Sequence, residues 1–484
     1  MTAWFGPLLA LAAGWGAHRL VSPRSDLAER IVGSTVLGIA ITASWLFFLD
    51  LAGIRWRWPF LLLPALAGTA AAVWPAYLTD FLLRPRRRPP LRRCSRRRRL
   101  RRAYSTPRQR LGINATLTDV SAVSPRKSVR NAGWSRRGES RPQASELGVF
   151  GGPWPWLAAG AVALRAALVV AQPAFGWDFR YIWGLKARVF ALAGAHDLSW
   201  LGWHSFAFAH PDYPPLWSDL IADGALFGAP VGQVAAAWAA VLVVGIGAAC
   251  WRLARPAGAP AATLAAIAGA WTPILLAPSV HSSGSAEPLV AFLLAASIIG
   301  LLKLSKNSAG LPVVLVAGLA ALGVTKHEGT VMALLLAVVS LRLLHRRWMA
   351  PFLAGILLPV TAWHVTVAAA GIPRLPAIFD LARMASRAMA LPAAVLRVMT
   401  PVLALELCVI AVFLLCKASR TGRSFQPALW VWLAILALAY LTSANDLQWH
   451  LATSLQRVLA PLLPAVLGLL LARTPLKPTS QTPI

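Results

Sequence analysis

The chain has 484 residues, of which 57% are apolar and only 13% charged, with a mean hydropathy of +0.61. That balance excludes a soluble globule and indicates a helical protein that crosses a membrane many times. The net charge of +30 is uneven, because residues 84–148 hold twenty Arg or Lys against three acids and the rest of the chain is only moderately basic.

Residues 1–20 begin without a basic leader or a small-residue cleavage site, so they are expected to be retained as a span. Spans near 4–20, 31–51 and 58–83 lead into the Arg-rich segment. Lys and Arg mark the cytoplasmic side, which puts 84–148 and Arg19–Arg30 inside. The clusters Arg86–Arg88 and Arg96–Arg99, broken by Pro and without apolar periodicity, have the composition of a disordered linker resting on anionic head groups. No aromatic interleaving accompanies them, so nucleic acid is not an expected partner. The four cysteines have no paired spacing, which argues against a disulfide framework or a zinc ribbon. Three regions follow: N-terminal transmembrane helices in 1–83, the basic segment 84–150, and a transmembrane core in 151–484.

Beyond the basic segment, spans are expected near 154–172, 231–250, 261–279, 287–303, 311–324, 330–344, 351–370, 392–416, 427–443 and 457–472, for a total of about thirteen. Inside breaks then carry Arg252 and Arg255, Lys303 and Lys306, Arg342–Arg347 and Lys417–Arg423. Acids and histidines gather on the opposite, outer face: Asp178, Asp212, Asp219, Glu287, Glu328 and Asp446, with His210, His281, His327 and His450. The outer 371–391 loop breaks the charge rule with Arg374, Arg383 and Arg387.

Three of these outer segments carry candidate chemistry. In the first, apolar residues from Trp177 to Ala195 recur at helical spacing between Arg180, Lys186 and Arg188, which predicts an amphipathic helix in the interface with Asp178 at its start. Asp178 is then either a helix cap or a functional acid. The paired prolines of Tyr213-Pro214-Pro215-Leu216 predict a rigid turn that holds His210 and Asp212 at the depth of Asp178. In the second segment, 311–324 and 330–344 are each short for a span, so a hairpin with Lys326-His327-Glu328-Gly329 at its tip is expected. Lys326 there either pairs with Glu328 or meets an anionic lipid phosphate. In the third, His450, Ser454 and Arg457 share one helix face, and Arg457 either snorkels or holds an anion.

Taken in order, these motifs resemble those of the GT-C superfamily of integral-membrane glycosyltransferases, in particular the group with protein O-mannosyltransferases, aminoarabinose transferases and bacterial lipopolysaccharide-core sugar transferases. The likeness covers about 151–470 and lies in Asp178 before the Tyr-Pro-Pro-Leu turn, Ser285-Ala286-Glu287-Pro288-Leu289, Thr325-Lys326-His327-Glu328-Gly329, and Thr453–Arg457 with Pro461. The chain departs from many relatives in having Asp178-Phe179 where they carry two adjacent acids. The resemblance implies an all-α GT-C bundle of about thirteen transmembrane helices whose core, 151–484, is catalytic. It would move a sugar from a polyprenyl-phosphate donor to a glycan, lipid or protein acceptor, with inversion, at the outer face of the plasma (inner) membrane. Asp178 would be the base, and Lys326 and Arg457 would bind the donor phosphate. His210, Asp212, Glu287, Glu328 and His450 would be candidates for contacts to the acceptor or a metal. No cofactor is fixed by these motifs, and a divalent metal ion stays open. The competing reading is a polytopic transporter or flippase of lipid-linked or anionic substrates.

Overall fold

The computed structural model describes residues 2–22, 25–83, 152–172, 174, 176–276, 284–306, 312–372, 378–416 and 420–472. The basic segment 84–150, Cys94, His281 and Arg374 lie outside the described residues. Residues 1–76 and 152–484 form one compact unit, and 77–151 form another in which only the end of a helix is described.

All described elements are helical, as a bilayer requires of apolar runs that must satisfy their own backbone groups. Helices α1 (Phe5–Val21) and α2 (Leu27–Leu51) form a close hairpin, and α3 (Trp58–Leu83) follows. Asp26 caps α2 by accepting from the Glu29 N–H at 2.9 Å, and a side chain at Gly14 would collide with the Ser34 carbonyl. After α4 (Trp154–Ala171), the segment 172–230 holds α5 (Gly184–Ala193) and α6 (Leu216–Ala225). Then come α7 (Val231–Ala254), α8 (Ala259–Leu276), α9 (Glu287–Lys306), α10 (Val313–Gly323), α11 (His327–Leu341) and α12 (Met349–Ala369). The chain closes with α13 (Leu381–Arg397), α14 (Pro401–Leu415), α15 (Arg420–Thr442), α16 (Leu447–Leu459) and α17 (Leu463–Leu471).

Burial sorts these helices into layers. The apolar stretches of α7 and α9 are 78% and 83% buried, against 28% for those of α4 and α12, so α7 and α9 form the centre and α4 and α12 the lipid-facing rim. Helix α2 packs on α7 and α10, so α1 and α2 belong to the main unit. At the start of α2, Asp26 takes Arg252 at 3.4 Å and Arg255 at 3.1 Å, and Glu29 takes Lys303. Three basic breaks distant in sequence therefore meet at one end of the bundle.

Among the described residues, seven helices are long and apolar enough to cross a membrane, or eight if α13 and α14 count as one, and four shorter apolar helices accompany them. Hydropathy counts apolar runs, whereas the backbone decides whether a run is one straight helix. Helices α10 and α11 have 11 and 15 residues, or roughly 16 and 22 Å, short of the ~30 Å hydrocarbon core. They pack on each other as a hairpin with Lys326 at the turn. The expected span 392–416 is split where Thr400 caps α14 by accepting from the Leu403 N–H at 3.1 Å, and the two pieces bend by 118°. The last span starts earlier than expected: α16 and α17 run on from Leu447 to Leu471. Arg457 thus sits about 15 Å along a membrane helix, not at its outer end.

The exceptional arginines of 371–391 have a structural role. Arg383 donates to the carbonyls of Ser443 (2.8 Å) and Ala444 (3.1 Å), and Arg387 to those of Tyr440 (3.0 Å), Ser443 (2.7 Å) and Asn445 (2.5 Å). The Tyr440 carbonyl belongs to the last turn of α15 and the other three to the corner just beyond it, where the helix dipole also favours a cation. Replacing Arg387 by Ala strips three of these bonds and is expected to cost about 1–2 kcal/mol, to be read as lowered thermal stability of the detergent-solubilised protein. Arg387→Lys should recover only part of it, since Lys lacks the fork.

Candidate functional site

The segment between α4 and α7 begins with a π-helical turn, Phe179–Trp183, preceded by Asp178. Such turns widen the helix and often mark functional positions. Asp178 makes no capping bond; its Oδ2 accepts from Arg457 Nη2. The turn packs against Gly284, where any side chain would strike Phe179, and Trp217 Nε1 donates to the Gly284 carbonyl at 3.1 Å. This contact brings Ser285–Glu287, at the head of α9, beside Asp178.

Glu287 is the hub of the cluster. It is 1% exposed, and its Oε1 accepts from Lys326 Nζ at 3.1 Å and from Arg457 Nε and Nη2 at 3.2 and 3.0 Å. Its Oε2 has no partner among the described residues. Lys326, extended at the N-cap of α11, also lies 3.5 Å from Glu328 Oε1. Burial works against the Lys326 charge, but Glu287 and Glu328 outweigh it and hold the ammonium above its usual range. Three carboxylates thus face two cations, one negative charge in excess. The crevice bordered by Glu287, Lys326, Glu328, Arg457 and Trp432 has a volume of about 20 Å³, room for roughly one water. The cations are held by their own carboxylates.

Comparison with protein-family models, with curated proteins and with solved structures finds no match to this chain. The reading of the site therefore rests on its geometry.

A second layer adjoins the cluster. Asp212 Oδ2 lies 3.1 Å from His327 Nε2, and the Asp212 carbonyl accepts from Trp363 Nε1 at 3.1 Å. His210 stacks on Tyr213 with centroids 4.5 Å apart. Burial pushes its imidazole down to about 4, with Asp212 opposing and Lys186 and Lys326 reinforcing, so His210 is neutral at pH 7. His450 packs its ring against Tyr440 at 4.7 Å; Ser454 bonds the Tyr440 hydroxyl at 3.0 Å. Asp178, Glu287, Lys326, Glu328 and Arg457 are brought together, Asp212 and His210 lie one layer out, and His450 makes no bond to the cluster among the described residues but lies within reach of the Glu328 charge. Among the described residues no three His, Cys, Asp or Glu side chains converge as metal ligands. The nearest carboxylates are taken by Lys and Arg, so the described residues do not fit a divalent ion.

Sequence reasoning missed two charged groups. Lys186, read as part of the polar face of an interfacial helix, is fully buried, as are Trp183 and Phe190 beside it, while Leu192 is 81% exposed. His196 Nδ1 lies 2.6 Å from Asp50 Oδ2, and its Nε2 lies 2.8 Å from Asp219 Oδ1, which ties the C-terminal end of α2 to α6. Burial disfavours the imidazolium, but Asp219 and Asp50 together overcome it and raise the group to about 10. A raised histidine stabilises the fold fully below its unfolded value near 6.5. That contribution is lost as the pH climbs toward 10. The margin in melting temperature of the wild type over His196→Gln should therefore shrink across this window.

Proposed function

We propose that the chain is a GT-C-type membrane glycosyltransferase that moves a sugar from a polyprenyl phosphate to an acceptor hydroxyl. The observation that carries this reading is the meeting of one carboxylate, Asp178, with two cations, Lys326 and Arg457, around Glu287. A leaving phosphate needs cations and not a second acid, whereas the acceptor needs a base. In this mechanism the donor phosphate takes Arg457 away from Asp178, and the freed carboxylate accepts the proton of the acceptor hydroxyl. The acceptor oxygen attacks the anomeric carbon from the opposite face. The carbon–oxygen bond to phosphate breaks with its electron pair leaving on the phosphate, and the product is inverted. Because the base is released only by the donor, binding is ordered, donor first. Glu287 sets the spacing of the two cations.

The test is incubation of purified protein with radiolabelled polyprenyl-phosphate sugars and a membrane-lipid extract. The expected result is transfer of label from one donor with release of polyprenyl phosphate; no consumption of any donor would count against the reading. The depth of Arg457 within Leu447–Leu471 favours a second reading, a transporter or flippase of lipid-linked anions. In proteoliposomes that protein would move the intact labelled lipid between leaflets without cleaving it. The outer face of a plasma membrane as the site of action belongs to the first reading.

A further inference from the structure

Lys186 is a buried charge that the proposed reaction does not use. Its Nζ donates to the carbonyls of His210 at 2.6 Å and Tyr213 at 3.4 Å, and its side chain is fully buried in α5. The turn it grips is strained: His210 has φ +46°, a left-handed conformation that a non-glycine residue keeps only under outside constraint. The same turn bears on α11. Asp212 contacts His327 Nε2 at 3.1 Å, and the Tyr213 ring meets His327 edge-on at 5.0 Å. His327 directly follows Lys326 and precedes Glu328. An unbroken chain of contacts therefore runs from the Lys186 ammonium to the backbone that carries both groups.

We propose that Lys186 is a positioning residue: its ammonium latches the strained His210–Pro215 turn, and the turn, through Asp212 and His327, sets the placement of Lys326 and Glu328. This rests on reading Lys326 as a phosphate-binding cation. The latch has a built-in pH response. Burial pushes the Lys186 ammonium down to about 7, with Asp212 and Asp219 opposing. The other titratable groups around it are neutral His210 and Tyr213, whose phenol burial pushes up and keeps protonated, while Asp219 is paired with His196. Charge-assisted hydrogen bonds are roughly twice as strong as neutral ones, so the grip on the two carbonyls slackens above that pH. Global stability moves the other way: a lysine that is neutral when folded and charged when unfolded contributes stability that rises with pH between about 7 and 10.5. Melting is therefore the wrong readout, and local exchange is the right one.

The experiment is hydrogen exchange of the Asp212, Tyr213 and Leu216 amides in the full chain in detergent, corrected for base catalysis, alongside binding of farnesyl phosphate. In the wild type, protection should drop as the pH passes about 7. It should be low throughout in Lys186→Met and persist to higher pH in Lys186→Arg. Farnesyl phosphate should bind Lys186→Met and Asp212→Asn each about tenfold more weakly, the scale of a displaced positioning contact, and the double variant no more weakly than either single one. Exchange that does not respond to pH, or losses that add, would overturn the assignment. Should Lys186→Met fail to fold, Asp212→Asn and His327→Gln cut the same chain further along; tenfold weaker binding supports the proposal, and unchanged binding overturns it. A wild type that shows the pH step but does not bind farnesyl phosphate refutes the role of Lys326 and leaves the latch standing.

Discussion

Asp178→Asn is expected to lower kcat by about 10²–10⁴, the usual contribution of a general base, while the protein still folds and binds donor more tightly than the wild type. The second half of that outcome is the diagnostic one. On the proposed mechanism the Asp178 carboxylate, paired with Arg457 in the resting site, competes with the donor for it, and three carboxylates against two cations make the cluster one charge too negative for an incoming phosphate. An amide at 178 removes that competition and brings the cluster to neutrality. Lost turnover with tightened donor binding is a pattern that damage to the fold cannot produce. Arg457→Met should do the reverse, weakening donor binding while leaving an unpaired acid. Steady-state turnover and donor titration on the same preparations separate the two. Unchanged turnover in Asp178→Asn would remove this residue from the chemistry.

Glu287→Ala is expected to be the most destabilising single change in the site. Glu287 is 1% exposed and receives three hydrogen bonds on one oxygen from Lys326 and Arg457. Removing it leaves two cations facing only Glu328 and Asp178. Deleting one partner of a buried ion pair typically costs about 3–5 kcal/mol. The lower end applies here, because the Arg457 side chain is 26% exposed and can recover some hydration. Glu287→Gln keeps the shape and one acceptor but not the charge, so it should fall between Ala and wild type in thermal unfolding. If Glu287 were instead a contact to the acceptor alone, Ala and Gln would leave the melting temperature unchanged.

The sequence made the membrane class and the 326–329 hairpin legible, because hydropathy and short apolar runs report directly on bilayer length. It also marked Lys326 and Arg457 as cations out of place, and the structure sets both against Glu287. That Glu287 would be their common partner was not legible: it lies 39 residues from one and 170 from the other. Lys186 was misread for a similar reason. Periodicity within 177–195 says which residues share a face but not what covers that face, and here the cover is a turn 24 residues downstream. The Asp50–His196–Asp219 bridge joins segments 146 residues apart, beyond any local pattern. The break at Thr400 was not legible either, because an apolar run does not show where a cap and a bend divide it.

The arginine grip on the end of α15 bears on how the protein is made. Arg383 and Arg387 leave the ribosome 53 to 61 residues before the carbonyls they bind. Until that later stretch is synthesised and inserted, two guanidinium groups stand at the membrane without their acceptors. Biogenesis must therefore hold α13 and α14 loosely and lock them only when the α15–α16 corner arrives. A nascent chain halted before residue 440 would expose a cationic, half-docked hairpin of the kind that membrane quality control removes.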